Sequence, residues 1–95
     1  MRIVYKRSFM LRLGEQLKYI ARDNPTAALR LKDRFKEALS HTPRMPKMAK
    51  RSIYFDDENI RDLIVEGYTL VYRIRPDRIE VFGLVNGQEG VGEDE

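Results

Sequence analysis

The sequence contains no cysteine. That removes disulfide frameworks, thiolate zinc sites, iron–sulfur clusters and cysteine nucleophiles together, and it fits a reducing compartment. There is one histidine, His41, at the start of a proline-containing segment. A Ser-His-Asp triad or a multi-histidine metal site needs convergent groups in fixed geometry, and a single loop histidine does not provide them. Neither G-x-x-x-x-G-K-[ST] nor G-x-G-x-x-G occurs. Gly87, Gly90 and Gly92 lie among acids that would repel phosphate, so no cofactor is expected. The two acidic clusters, Asp56-Asp57-Glu58 and Glu93-Asp94-Glu95, read as a solvated turn and a solvated terminus, and no metal is expected. Long apolar runs are missing as well. Nothing approaches the roughly 20 residues of a membrane helix, and the N-terminal MRIVYKRSF carries charges where a signal peptide would place its apolar stretch. A cytoplasmic protein without a membrane partner is expected.

What is present describes one folded domain. Ninety-five residues leave room for a single core, and 42% hydrophobic with 35% charged residues is a globular composition with a heavily solvated surface. The net charge of +3 hides an asymmetry: residues 1–53 hold 14 Lys/Arg and 4 Asp/Glu, whereas residues 54–95 hold 4 and 11. The first half therefore presents a positive potential suited to an anionic or acidic partner.

Arg2 to Lys6 is short and β-prone and reads as a strand. Phe9, Leu13, Leu17, Ile20 and Ala21 recur at helical spacing, predicting an amphipathic helix from about Ser8 to Asp23. Asn24-Pro25 restarts the chain. Asn is a good N-cap and Pro suits the first helical position, so a second helix follows with Ala28, Leu31, Phe35, Ala38 and Leu39 on its inner face. His41 to Arg51 holds two prolines, four cations and no acid, and predicts an extended basic loop. A short extended piece is expected at Ile53 to Phe55. Then the period changes: Ile60–Val65, Tyr68–Arg75 and Arg78–Val85 predict a three-stranded meander with tight turns at Glu66-Gly67 and Pro76-Asp77. The fold class is α+β, order β-α-α-β-β-β, with the helical hairpin on one face of a small, mainly antiparallel sheet. The domain is expected to occupy residues 1–88, with 89–95 a flexible acidic tail.

With two-residue turns, alternation places Arg61, Leu63, Val65, Leu70, Tyr72, Ile74, Ile79 and Val81 on the face toward the helices. Asp62, Ile64, Thr69, Val71, Arg73, Glu80, Phe82 and Leu84 fall on the other, with Arg73 opposite Glu80. Of these, Ile64, Val71, Arg73, Phe82 and Leu84 are the candidate partner-binding residues, an apolar remainder with one cation. Arg61, Arg73, Lys47 and Lys50 are the candidate catalytic set, because cations can stabilise negative charge developing on phosphorus.

The order of these elements resembles the RelE/ParE superfamily of bacterial toxins from type II toxin–antitoxin systems. Leu17-Lys-Tyr-Ile-Ala-Arg-Asp-Asn-Pro-Thr-Ala-Ala28 spans the helical corner, and Ile60-Arg-Asp-Leu-Ile-Val-Glu-Gly-Tyr-Thr-Leu-Val-Tyr-Arg73 forms the hairpin. The corner Asn24-Pro25-x-Ala27-Ala28 and the ending Phe82-Gly-Leu-Val-Asn-Gly-Gln88 look closest to the ParE branch. That resemblance implies a toxin, of the kind found in plasmid stabilisation, that a cognate antitoxin neutralises and that inhibits DNA gyrase. The RelE branch implies the alternative, a ribosome-dependent endoribonuclease acting on mRNA, with Arg73 matching the sheet arginine and Arg61 the arginine before the hairpin. A plain protein-binding relative without toxicity is the third reading. Asn86 stands where the nuclease branch carries Tyr or His. Arginines stay protonated and make poor bases, and an exposed loop does not lower a lysine's pKa, so the expectation leans away from an enzyme.

Overall fold

The structure, a computed structural model, describes residues 1–86. The acidic tail at 89–95 and the end of the domain drawn at 88 lie outside the described residues. The elements run β1 (Arg2–Tyr5), α1 (Arg7–Ala21), α2 (Pro25–Leu39), β2 (Lys50–Arg51), β3 (Ile60–Val65), β4 (Tyr68–Ile74) and β5 (Arg78–Asn86). One sheet forms in the order β1-β5-β4-β3-β2. β1 lies parallel to β5, and every other pairing is antiparallel.

The helical corner forms as its residues dictate. Asn24 caps α2, its side-chain oxygen accepting the Ala27 N–H at 3.0 Å, and Pro25 occupies the first turn. The helices lay Phe9, Leu13, Phe35 and Leu39 onto Leu70, Tyr72, Ile79, Val81 and Leu84 of the sheet. Each fully buried side chain of this kind contributes about 1.5–3 kcal/mol, so the core rests on one sheet face.

The β3–β4 turn has Glu66 and Gly67 at φ 54° and 84°, the left-handed pair of a type I′ hairpin turn. Glu66 adopts that conformation without glycine's freedom, and its carboxylate accepts a hydrogen bond from Arg34 of α2, which ties the hairpin tip to the helices. β1 covers β5 only from Arg78 to Val81. Beyond it, Ser8 Oγ and Arg12 Nε of α1 donate to the Phe82 and Leu84 carbonyls at 2.9 and 3.0 Å, so side chains blunt the open edge.

Two features differ from expectation. The basic segment is a run of turns and not an extended loop, and its last two residues, Lys50–Arg51, form the short strand, paired with Asp62 and Arg61, in place of Ile53 to Phe55. Past it, Ser52 N–H donates to the Ile60 carbonyl and Ile53 N–H to the Asp62 carboxylate, folding residues 53–55 against the face the helices leave free. The second difference is a β-bulge. Val71 pairs with Gly83 but Tyr72 pairs with Val81, so Phe82 is an extra residue in β5. Alternation then resumes one step out of phase. Leu84 turns into the core, opposite Leu70 and 5% exposed, which corrects its placement on the free face.

Gly83 makes the bulge possible. A Cβ there would lie 3.1 Å from Val71 Cβ and 3.3 Å from its Cγ2. Gly83→Ala should therefore destabilise by roughly 1–3 kcal/mol, the usual cost of overpacking, and the added change Val71→Ala should recover part of it. Chemical denaturation of the wild type and the two variants checks this; a neutral Gly83→Ala would show that the two strands do not approach so closely.

Candidate functional site

The two arginines singled out from the sequence stand back to back. Arg61 pairs with Tyr72 and Arg51 and faces the helix side, whereas Arg73 pairs with Ile60 on β3 and Glu80 on β5 and faces the free side. Arg61 is buried and held by two backbone carbonyls. Its Nε donates to the Glu58 carbonyl at 3.0 Å, Nη1 donates to the Ala49 carbonyl at 3.1 Å, and Nη2 lies 3.8 Å from the Glu58 carboxylate. Tyr72 next to it donates its hydroxyl to the Pro46 carbonyl. Together they pin the basic loop to the sheet end. The Tyr72 hydroxyl is held above its ordinary pKa, chiefly by burial.

Lys47 is spent on the same side, 3.2 Å from the Glu58 carboxylate. Lys47's hydrogen bond and charge hold that carboxyl below the usual range against an upward push from desolvation, with the charges of Arg61 and Arg51 adding smaller effects in the same direction as Lys47. Lys50, exposed, sits opposite Asp62 in the ladder. The four candidate catalytic residues do not converge: Arg61 and Lys47 bind the loop and its turn, and Arg73 lies across the sheet from them.

The free face gathers a different set. Glu80, 4% exposed, is surrounded by three arginines. Arg78 donates from Nε to Oε2 at 2.9 Å, and its Nη2 forms an ion pair with the same oxygen at 2.9 Å. Arg73 Nη1 and Arg75 Nε lie 3.6 and 3.5 Å from Oε1. Burial pushes the Glu80 carboxyl up, but the hydrogen bond and charge of Arg78, with the charges of Arg75 and Lys6, outweigh it and hold the group below the usual carboxylate range. The same contact raises Arg78, with Asp77 contributing.

Arg73 also lies over the Phe82 ring, 5.0 Å from its centroid, and Phe55 meets that ring edge-on at 5.6 Å. Of the candidate partner-binding residues, Ile64 is 56% exposed, Arg73 and Phe82 are half-buried on this face, Val71 is buried beneath it and Leu84 is in the core. Asp62, buried beside Val71, accepts a hydrogen bond from Ile53 N–H at Oδ2, and its Oδ1 has no hydrogen-bond partner among the described residues.

Sequence reasoning passed over Arg75, Arg78 and Phe55. The first two were within reach, since positions 73 and 75, and 78 and 80, share parity across the Pro76-Asp77 turn. Phe55 gave no local signal, because its place on Phe82 depends on the chain folding back after Ser52.

On the opposite side, Tyr5, Phe9, Met10, Leu13, Phe35 and Leu39 line a groove of about 210 Å³ between the helices, with Lys32 and Lys36 at its rim. Met10 is 49% exposed there. No helix among the described residues is long and apolar enough to cross a membrane.

The comparisons with known proteins fit this architecture. A family model described as the ParE toxin of the type II toxin-antitoxin system parDE matches residues 3–90. No curated protein matches the chain. Among solved structures, a chain of the chromosomal ParDE TA system from P. aeruginosa superposes with a TM-score of 0.74 at 16% identity, covering 92% of this chain and 96% of that one. At that identity the likeness is one of fold.

A carboxyl held low by folding stabilises the protein above its unfolded pKa, and that contribution disappears as pH falls through the folded value. The melting-temperature gap between wild type and Glu80→Gln should therefore be widest at pH 7 and shrink on acidification below about pH 4, the ordinary Glu range. Thermal melts from pH 7 to pH 3 read it. A gap independent of pH would mean that Glu80 is not held as an anion by its arginines.

Proposed function

As a member of the ParE toxin family of type II toxin–antitoxin systems, this chain acts, we propose, by binding and inhibiting DNA gyrase, and a cognate antitoxin neutralises it. The choice of gyrase over mRNA cleavage is supported by one observation above the rest: Arg61 and Arg73 face opposite sides of the sheet, and Arg61 is consumed by the Ala49 and Glu58 carbonyls. A ribonuclease needs one group to take the 2′-hydroxyl proton and another to protonate the leaving oxygen, each worth about 10² to 10⁴ in rate. Beside Arg73 the carboxylate of Glu80 is an anion clasped by three guanidiniums, and Asn86 at the end of β5 has no titratable group. Asp62 is buried, and His41 lies 3.4 Å from Glu37 at the end of α2. The face is built to hold charge, and its residues suit binding better than proton transfer.

Two surfaces support an acidic, partly apolar antitoxin. The interhelical groove offers exposed Met10 beside Lys32 and Lys36, over a floor that includes buried Phe9 and Leu13, a match for an amphipathic segment with acidic flanks. On the free face Ile53, Phe55 and Ile64 stay exposed.

Purified toxin should inhibit gyrase supercoiling at equal or modest molar excess, and the product of an adjoining reading frame should reverse that inhibition. mRNA on translating ribosomes should stay intact. Cleavage within A-site codons that disappears on Arg73→Ala, with supercoiling untouched, would replace gyrase inhibition by the nuclease reading. Silence in both assays would leave a binding protein without toxic activity.

A further inference from the structure

We infer that the arginine end of the free face is a nucleic-acid backbone site, in which Arg73 and Arg75, steered by Glu80 and flanked by Arg78 and Arg2, take the phosphates of DNA. It goes beyond the proposed function, because gyrase inhibition needs no contact between the toxin and DNA.

The inference starts from unspent donors. Glu80 engages Arg78 through a hydrogen bond from Nε and a 2.9 Å ion pair with Nη2, both at one oxygen, yet it only attracts Arg73 and Arg75, which stand 3.6 and 3.5 Å from the other. Among the described residues neither of these two guanidiniums donates a side-chain hydrogen bond, and their side chains are 34% and 45% exposed. A guanidinium has five N–H donors in a fixed fork that matches phosphate oxygens. Two such forks held beside one carboxylate are oriented before any ligand arrives, which lowers the ordering cost of binding.

Charge and spacing select the ligand. One buried carboxylate cannot neutralise three arginines, and Asp77 engages only Arg78. Arg2 faces Arg78 across the β1–β5 ladder, and the charge of Lys6 reaches Glu80. The cations therefore sit on three adjacent strands, β1, β5 and β4, spanning about 10 Å at the usual strand spacing. Successive phosphates of one DNA strand rise about 3.4 Å along the axis, so the row can meet about three of them. A single small anion would use only part of it. Phe82, with Arg73 over its ring and Phe55 at its edge, walls one side of the row with apolar surface.

The test is fluorescence anisotropy of a labelled 20-base-pair duplex with purified toxin at salt from 50 to 200 mM, with no gyrase present. Three phosphate contacts predict a log–log salt slope near −2.7 and an affinity loss of about 40-fold across that range. Arg73→Ala with Arg75→Ala should make the slope shallower by about 2. Lys18→Ala with Arg22→Ala, at the far end of α1, should leave it unchanged. Arg75→Ala alone, at an exposed position, should remove about 1 and guards against misfolding of the double variant. No binding at 50 mM, or equal effects from the α1 variant, would overturn the inference. Displacement by poly-glutamate at equal charge would overturn it too, assigning the row to an acidic protein. Since gyrase is absent, either outcome leaves the supercoiling assay to judge the proposed function separately.

Discussion

The period of two along β3 and β4 decides what each cation can do. A side chain at position 61 and one at position 73 differ in phase across the β3–β4 ladder, where Arg61 pairs with Tyr72 and Arg73 with Ile60. No rotamer brings them to the same side of a sheet. Arg61 is thereby committed to the helix side, where it holds Ala49 and Glu58, and Arg73 to the free side, where it meets Glu80 and Phe82. Buried charge is costly unless it is paired and hydrogen-bonded, and two of the buried ionisable groups meet that condition, Arg61 through two backbone carbonyls and Glu80 through Arg78, whereas Asp62 is bonded at one carboxylate oxygen only among the described residues. The sheet is held on one side by an arginine that solvent scarcely touches and carries on the other a carboxylate that keeps arginines at the surface.

The bulge adds the second half of this arrangement. By inserting Phe82 between the pairs Val71–Gly83 and Tyr72–Val81, it sets an aromatic ring beside Arg73 and returns Leu84 to the core. The same strand thus completes the hydrophobic layer under α1 and furnishes the apolar wall of the arginine row. α1 closes the strand's open edge through Ser8 and Arg12. The proposed inhibition of a large enzyme by occupying it would need this kind of stable platform and no poised acid or base.

Much of this was legible in the residues. Asn24-Pro25 announced the second helix, Glu66-Gly67 fixed the hairpin, and alternation put Arg73 opposite Glu80 as observed. Leu84 was misplaced because a bulge depends on the absence of a Cβ at Gly83 against Val71 on the neighbouring strand, a contact between residues 12 apart that local pattern does not encode. The strand at Lys50–Arg51 escaped notice for a similar reason: two exposed cations are poor strand formers, and they pair there because Arg61 and Tyr72 hold the preceding loop in place. Asp62, read as one member of a mixed surface, is buried and receives Ile53 N–H, which brings Phe55 to Phe82. Arginine identity was readable throughout; which arginines are spent was not, since that depends on carbonyls brought up by distant loops.

The division between a spent and an unspent arginine can be measured on the folded protein by reaction with phenylglyoxal, followed by mass spectrometry of each arginine over time. Arg73 and Arg75, 34% and 45% exposed and without side-chain hydrogen bonds among the described residues, should react early. Arg61, 10% exposed and bonded to two carbonyls, should react only as the chain unfolds. Modification of Arg61 at the rate of Arg73 in the folded state would contradict the separation of the two faces on which the proposed binding function rests.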